Sequence, residues 1–308
     1  MLWQSLMYSD SQLTTLLNEK NIQYLRNKYR GGVINQKGNS YENFFALYQI
    51  ALLAKEVIEQ EIDDIAIFSQ IMAFVDDLVI DRGLGSDLYH FQLKESKSLS
   101  WGTNKSKIRI AYDFRLQAEL NTKALNRNSR ISVVVSSEDI SEKLITEMPT
   151  DIQAYSSVVL FPYKKTVEEL LQVSDDLQES IAYLTAFENP APDKIECVAK
   201  ILIGAWASSD TSKTTVLGVL QTAQTCQPSF IRSFKSDESF VLEPELISIL
   251  QSINGFTYLI SRGFFHWEYS GAMDGTYPFS LDSEEFQKLQ KRIIQINPTT
   301  FDDLENLL

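Results

Sequence analysis

Cysteine is nearly absent. Two thiols in 308 residues, Cys197 and Cys226, lie too far apart for any CxxC spacing. That excludes a disulfide-stapled secreted domain, a thiolate zinc site and a dithiol redox pair, and leaves both as buried thiols by expectation. Histidine is as scarce, with His90 and His266 alone and no GxSxG beside them, so a serine or cysteine triad has little to draw on. Neither GxGxxG nor GxxxxGK followed by Ser or Thr occurs, which removes a nucleotide-binding loop of the chain's own. GAWASSDTSKTT around Gly204 lacks that glycine spacing and reads as a helix-cap turn. No apolar run approaches a membrane span, and residues 1–10 lack the basic start and small-residue cleavage site of a signal peptide. The expectation is a cytoplasmic protein whose 44% hydrophobic content supports a large core or two domains.

The most patterned stretch is 73–101. AFVDDLVI is apolar and β-branched without helical spacing, Gly83 and Gly85 interrupt it, and LYHFQLK resumes. The pattern predicts two strands and a turn, with 74–80 in the first strand. Alternate strand residues share a face, so Gln92 and Lys94 project together and Phe91 and Leu93 project oppositely. Such a hairpin brings Asp77 to Gln92 and Lys94. A carboxylate, an amide carbonyl and an ammonium are what Mg²⁺-dependent phosphodiester hydrolysis needs: oxygen ligands for a hard cation, and a positive group to orient water or offset developing charge. Upstream, Ser40 is a predicted N-cap, and Phe44, Phe45, Tyr48, Ala51 and Leu52 recur at helical spacing, which puts Glu42 in a first helical turn. Taken singly, each residue has a plainer role. Glu42 suits a helix dipole, Asp76-Asp77 a turn or exposed strand end, and Lys94 an edge strand guarded against aggregation.

In order, Gly31-Gly32, Gly38-x-x-Tyr41-Glu42 opening a helix with Tyr48-Gln49, Asp76-Asp77 in an apolar strand, Phe91-Gln92-Leu93-Lys94 and Trp101 resemble the PD-(D/E)XK nuclease superfamily in its Mrr-like, QxK variant. More narrowly, they are similar to the double-stranded DNA endonuclease domain of bacterial anti-phage effectors. The resemblance spans roughly residues 25–140. It implies an α/β fold with a restriction-endonuclease-like mixed β-sheet flanked by helices. It also implies Glu42, Asp77 and Gln92 as ligands of Mg²⁺, which Mn²⁺ can replace, and Lys94 as the catalytic lysine. Double-stranded DNA is the implied substrate, with a homo-oligomer or a defence-system partner such as an ATPase or helicase. The chain departs from the pattern where a further acid is common, having Gln70, Met72, Ala73 and Phe74 there, which implies a metal-poor site. Register decides between Asp76 and Asp77, and the family pattern favours Asp77. Two other functions stay open: a nuclease-fold DNA-binding or assembly subunit without turnover, and an RNA or single-strand nuclease on the same core.

Charge is divided in the same sense. The net charge is −13, yet residues 1–130 hold 16 Lys and Arg against 15 Asp and Glu, while 131–308 hold 12 against 26. Lys20, Arg26, Lys28, Arg30 and Lys37 precede the Glu42 helix, and Lys97, Lys105, Lys107 and Arg109 follow the QxK strand. They are candidate phosphate contacts or ordinary solvated groups. Beyond the hairpin, 108–125 predicts a helix, 131–136 and 156–161 predict strands, and the nuclease-like domain is expected over 1–162. Residues 163–308 read as a mainly helical, acidic domain for partner contacts or oligomerisation, because its charge repels DNA. Within it, 167–184, 194–207 and 214–225 predict helices, 256–267 a strand or hairpin, 271–275 a polar turn, and Ser283 opens a helix to about Ile294.

Overall fold

The computed structural model describes residues 8–35, 40–83, 85–96, 98–102, 109–228 and 230–308. The chain divides into two compact units that interleave in sequence, one made of Met1–Leu177 with Leu202–Leu220 and the other of Gln178–Ile201 with Gln221–Leu308.

The first unit opens with α1 (Asp10–Leu16), α2 (Glu19–Asn35) and α3 (Ser40–Glu59). Three antiparallel strands follow, β1 (Ala66–Phe68), β2 (Leu78–Asp81) and β3 (Leu88–Lys94). Then come α4 (Ile110–Leu120), which runs into a π-helical turn over Asn121–Leu125, and β4 (Ser129–Val135), parallel to β3. Next are α5 (Glu138–Thr146), β5 (Ser156–Leu160), parallel to β4, and α6 (Val167–Leu171). The sheet has the order β5-β4-β3-β2-β1-β6, its last strand being Thr214–Thr215. A mixed sheet flanked by helices is the fold class expected from the sequence.

β3 sits in the middle and separates two different environments. Phe91 on one face meets Phe45 of α3 at 5.2 Å between ring centroids, and Phe45 meets Phe161 at 5.2 Å. This aromatic layer accounts for α3, whose Tyr41, Phe44, Phe45, Leu47, Ile50 and Ala54 are all buried; Leu52, expected on the same face, is 40% exposed. His90 and Gln92 face the other way, toward α4 and the apolar cluster of Leu13, Leu25, Phe74, Val79, Leu116 and Leu120. Trp101, which trails the QxK strand, is a core residue: it stacks edge-on to Phe114 and donates from Nε1 to Leu144 O at 2.9 Å.

The first strand of the expected hairpin is shorter than its apolar run, because β2 begins at Leu78 and not at Phe74. The backbone of Phe74 and Val75 is satisfied by side chains instead of a ladder. Both N–H groups donate to Gln117 Oε1 (2.8 and 3.3 Å), Val75 O accepts from His90 Nδ1 (2.9 Å), and Phe74 O accepts from Lys28 Nζ. A segment whose hydrogen bonds are all met from the side has no need of a strand partner.

The second unit takes the later part of α7 (Asp175–Leu184) and the first part of α8 (Pro192–Ser208), then the end of α9 (Val216–Gln224). It continues with α10 (Pro244–Ser252), an antiparallel sheet of β7 (Phe256–Ser261), β8 (Phe264–Tyr269) and β9 (Met273–Thr276), α11 (Glu284–Ile296) and α12 (Phe301–Glu305). The polar stretch 271–275, expected as a turn, supplies most of β9. Thr214 and Thr215, expected to open a helix, pair with β1. Both are short polar strands without the alternation that marks a strand in sequence. The β7–β8 turn is Arg262-Gly263, both at positive φ (54° and 77°), as a two-residue hairpin requires. A Cβ on Gly263 would lie 2.2 Å from that of Ser233, so a side chain there is excluded. Cys226, expected to be buried, is exposed just past the end of α9, and Cys197 is half-buried. No helix among the described residues is long and apolar enough to cross a membrane.

Candidate active site

The loop between β1 and β2 carries the acids, and a backbone hydrogen bond closes it. Gln70, at φ 54°, donates its N–H to Asp76 O at 2.8 Å. The next residue, Asp77, sits one step beyond the Leu78–Phe91 pair of the β2–β3 ladder, which puts it across from Gln92. Its Oδ2 accepts from Leu93 N at 2.7 Å and from Gln92 Nε2. Asp77 is half-buried and Asp76 fully buried, so the residue that the family pattern favoured is the one against Gln92 and partly open to solvent.

Asp76 turns to a lysine from α2. Lys28 Nζ donates to Phe74 O, to Gln92 Oε1 at 2.8 Å and to Asp113 Oδ2 at 3.2 Å, with Asp76 Oδ1 at 3.9 Å. Three donors on the ammonium meet three oxygens. Burial works against this ammonium, but Asp113, Asp76 and Asp77 outweigh it and hold its pKa above the ordinary value. Burial pushes Asp76 up to about 7, against the downward pull of Lys28. Tyr24 OH adds hydrogen bonds to Asp113 at 3.0 and 3.2 Å.

The expected site residues are therefore brought together unequally. Asp77 and Gln92 touch. Lys94, half-buried at the end of β3, shares the Gln92 face and lies close enough for its charge to pull Asp76 down. Glu42, in the first turn of α3, accepts from Gln70 Nε2 at 3.2 Å and so reaches the acid loop near its start. The Gln92 carbonyl, expected as a metal ligand beside Asp77, instead accepts from Lys28, and the amide presents nitrogen to Asp77. Lys28, expected among the phosphate contacts, points inward because the three oxygens of the loop, β3 and α4 take its donors. Arg30 of α2 is exposed, while Lys37, Lys97, Lys105 and Lys107 lie outside the described residues.

Among the described residues no three carboxylates, imidazoles or thiolates converge to hold a metal. Mg²⁺ is commonly held by one or two carboxylates, completed by water and substrate phosphate. Asp77 fits that use, since it is half-buried and both of its described hydrogen bonds fall on Oδ2.

Behind the loop lies a buried amide network that sequence reading did not find. Gln117 Nε2 donates to Tyr8 OH (2.9 Å) and to Asn121 Oδ1 (2.8 Å), and Asn121 Nδ2 donates to Ser129 Oγ (2.8 Å) and to His90 Nε2 (2.9 Å). Since Val75 O can only accept, His90 carries its proton on Nδ1 and offers a lone pair at Nε2. Asp113, Gln117 and Asn121 recur every fourth residue on the buried side of an apolar helix, and that polar stripe was the readable signal.

Burial, opposed by the bond to Val75 and by Asp81 and assisted by Arg127, pulls the His90 pKa down to about 4. Between that value and the unfolded value near 6.5, the unfolded chain binds a proton that the native state does not, so stability falls as pH falls. Asp76, with its pKa raised, contributes in the opposite direction. His90→Gln keeps the Asp76 contribution and deletes that of His90. Urea unfolding at pH 7 and pH 4 is expected to show wild type losing about 3 kcal/mol more than the variant; equal losses in both would remove the role assigned to His90. Comparison with protein-family models, with curated proteins and with solved structures finds no match for this chain.

Proposed function

We propose that the chain is a Mg²⁺-dependent DNA endonuclease of PD-(D/E)XK type, with Mn²⁺ able to substitute, acting as an effector of bacterial anti-phage defence on double-stranded DNA. The observation that carries this reading is the meeting of Asp77, just before β2, with Gln92 of β3, with Lys94 next along the same strand face. The helix acid Glu42, joined through Gln70 to the acid loop, agrees with it.

In this reading Leu93 N–H and Gln92 Nε2 fix the Asp77 carboxylate in one orientation. Lys94, half-buried at the end of β3, positions the attacking water and offsets charge gathering on the phosphorane oxygens. Glu42 holds Gln70 and with it the closed end of the loop. Asp77 would hold the Mg²⁺ ion, which would supply Lewis acidity and ease deprotonation of the attacking water.

A second reading, a nuclease-fold DNA-binding or assembly subunit without turnover, is favoured by the absence, among the described residues, of three convergent carboxylates, imidazoles or thiolates that could hold a metal and by the commitment of the Gln92 carbonyl to Lys28. Supercoiled plasmid, linear duplex and RNA incubated with the protein in Mg²⁺ or Mn²⁺ separate these readings. Nicking and linearisation of plasmid, with RNA intact, is the expected result. Duplex retention on a gel without cleavage, alone and with proteins encoded beside it, would establish the second reading.

A further inference from the structure

The cage around Lys28 is made of the groups that a hard metal ion takes. Gln92 Oε1, Asp113 Oδ2, Asp76 Oδ1 and the carbonyl of Phe74 all converge on one nitrogen, from β3, α4 and two points of the acid loop. Oxygens of this kind, two of them from carboxylates, define a site for Mg²⁺, Mn²⁺ or Ca²⁺. Here an ammonium fills it. The side chain of Lys28 is only 20% exposed, that of Asp113 10% and that of Asp76 3%, so the cation is built into the fold and not adsorbed on it.

We propose that Lys28 is a resident cation that stands where a second metal ion would bind, holding Asp76, Asp113 and the Gln92 carbonyl, so that the site takes up one divalent ion, at Asp77. The role of the Asp77 ion rests on the nuclease reading; the occupation of the cage by Lys28 does not. Three carboxylates, Asp76, Asp77 and Asp113, surround this region, and one fixed positive charge satisfies the inner two. Lys28 is thus a positioning residue: through Phe74 O and Gln92 Oε1 it ties the acid loop to β3 and sets the amide of Gln92 with its nitrogen toward Asp77.

Removing the ammonium while keeping the oxygens should open the cage to metal. Titration of the full chain with Mn²⁺, followed by electron paramagnetic resonance without DNA, is expected to give Lys28→Ala one more bound equivalent than wild type. Lys28→Arg, which keeps the charge, should gain none, and Lys28→Ala combined with Asp113→Asn should lose the gain. A folded Lys28→Ala protein that binds as many Mn²⁺ ions as wild type overturns the proposal. If wild type binds none and cleaves nothing, the nuclease reading fails, yet a gain in the variant still upholds the cage.

A second measurement needs no lysine variant. With acetic anhydride and mass spectrometry, Lys28 of the native chain should be acetylated roughly tenfold more slowly than exposed lysines, such as Lys288 at 72% exposure. Asp113→Asn should abolish most of that protection. Equal rates for Lys28 and Lys288 in wild type would overturn the proposal even if Lys28→Ala does not fold.

Discussion

Asp77→Asn is expected to lower plasmid cleavage at saturating Mg²⁺ by about 1000-fold, or about 4 kcal/mol of transition-state stabilisation, while leaving the unfolding midpoint close to that of wild type. The asparagine carbonyl still accepts from Leu93 N–H, so the local geometry survives and only the charge is lost. Asp76→Asn, one residue away, is the control. Asp76 is buried against Lys28, which keeps Asp113 as a partner, and cleavage there should stay within about tenfold of wild type. Lys94→Ala should cost about 100-fold, the usual loss of one transition-state charge partner. Initial rates on supercoiled plasmid decide all three. Equal losses at Asp76 and Asp77 would contradict the assignment of Asp77 as the open carboxylate.

The largest effect on stability is expected from a residue outside the site. Gln117→Leu removes the acceptor of two buried N–H groups, Phe74 and Val75, and the donor that serves Tyr8 OH and Asn121 Oδ1. Each orphaned buried group costs about 1–3 kcal/mol. The sum, about 4 kcal/mol with partial relaxation, is a large share of the 5–15 kcal/mol that holds a typical domain. Gln117→Glu keeps the acceptor for the loop and loses only the donor, so it should retain more stability than the leucine variant at a pH where the acid is neutral. Urea unfolding gives both values. If Gln117→Leu proves neutral, the loop is held by Lys28 and His90 alone. Because this network fixes Phe74 and Val75, two residues ahead of Asp77, activity should fall with stability, through a loop that no longer presents Asp77 to Gln92.

The parts of the site that were legible in sequence are those with a local pattern. LYHFQLK alternates and is a strand from Leu88 to Lys94; SYENFFALYQI has helical spacing and carries Glu42 in its first turn. The facing of Asp77 and Gln92 follows from those elements and their register. What stayed hidden depends on side chains that travel. Phe74 and Val75 look like strand residues, and Gln117, more than forty residues later, together with Lys28 and His90 makes a bent loop the better solution. Lys28 belongs to a run of basic residues whose spacing gives no sign that one of them turns inward. Asp113, Gln117 and Asn121 did leave a mark, as polar residues at every fourth place on an otherwise apolar helix face.

The strand at the edge of the large sheet has a consequence for synthesis on the ribosome. Ala66 and Ile67 of β1 pair with Thr215 and Thr214, which lie almost 150 residues further along. At translation speeds of 5–20 residues per second, that interval is on the order of ten seconds. For that time β1 offers an open row of backbone donors and acceptors, beside Ile67, which is fully buried in the finished protein. The five strands made earlier must wait for the sixth while the chain between them emerges, so the most exposed moment in the life of this sheet falls before the polypeptide is complete.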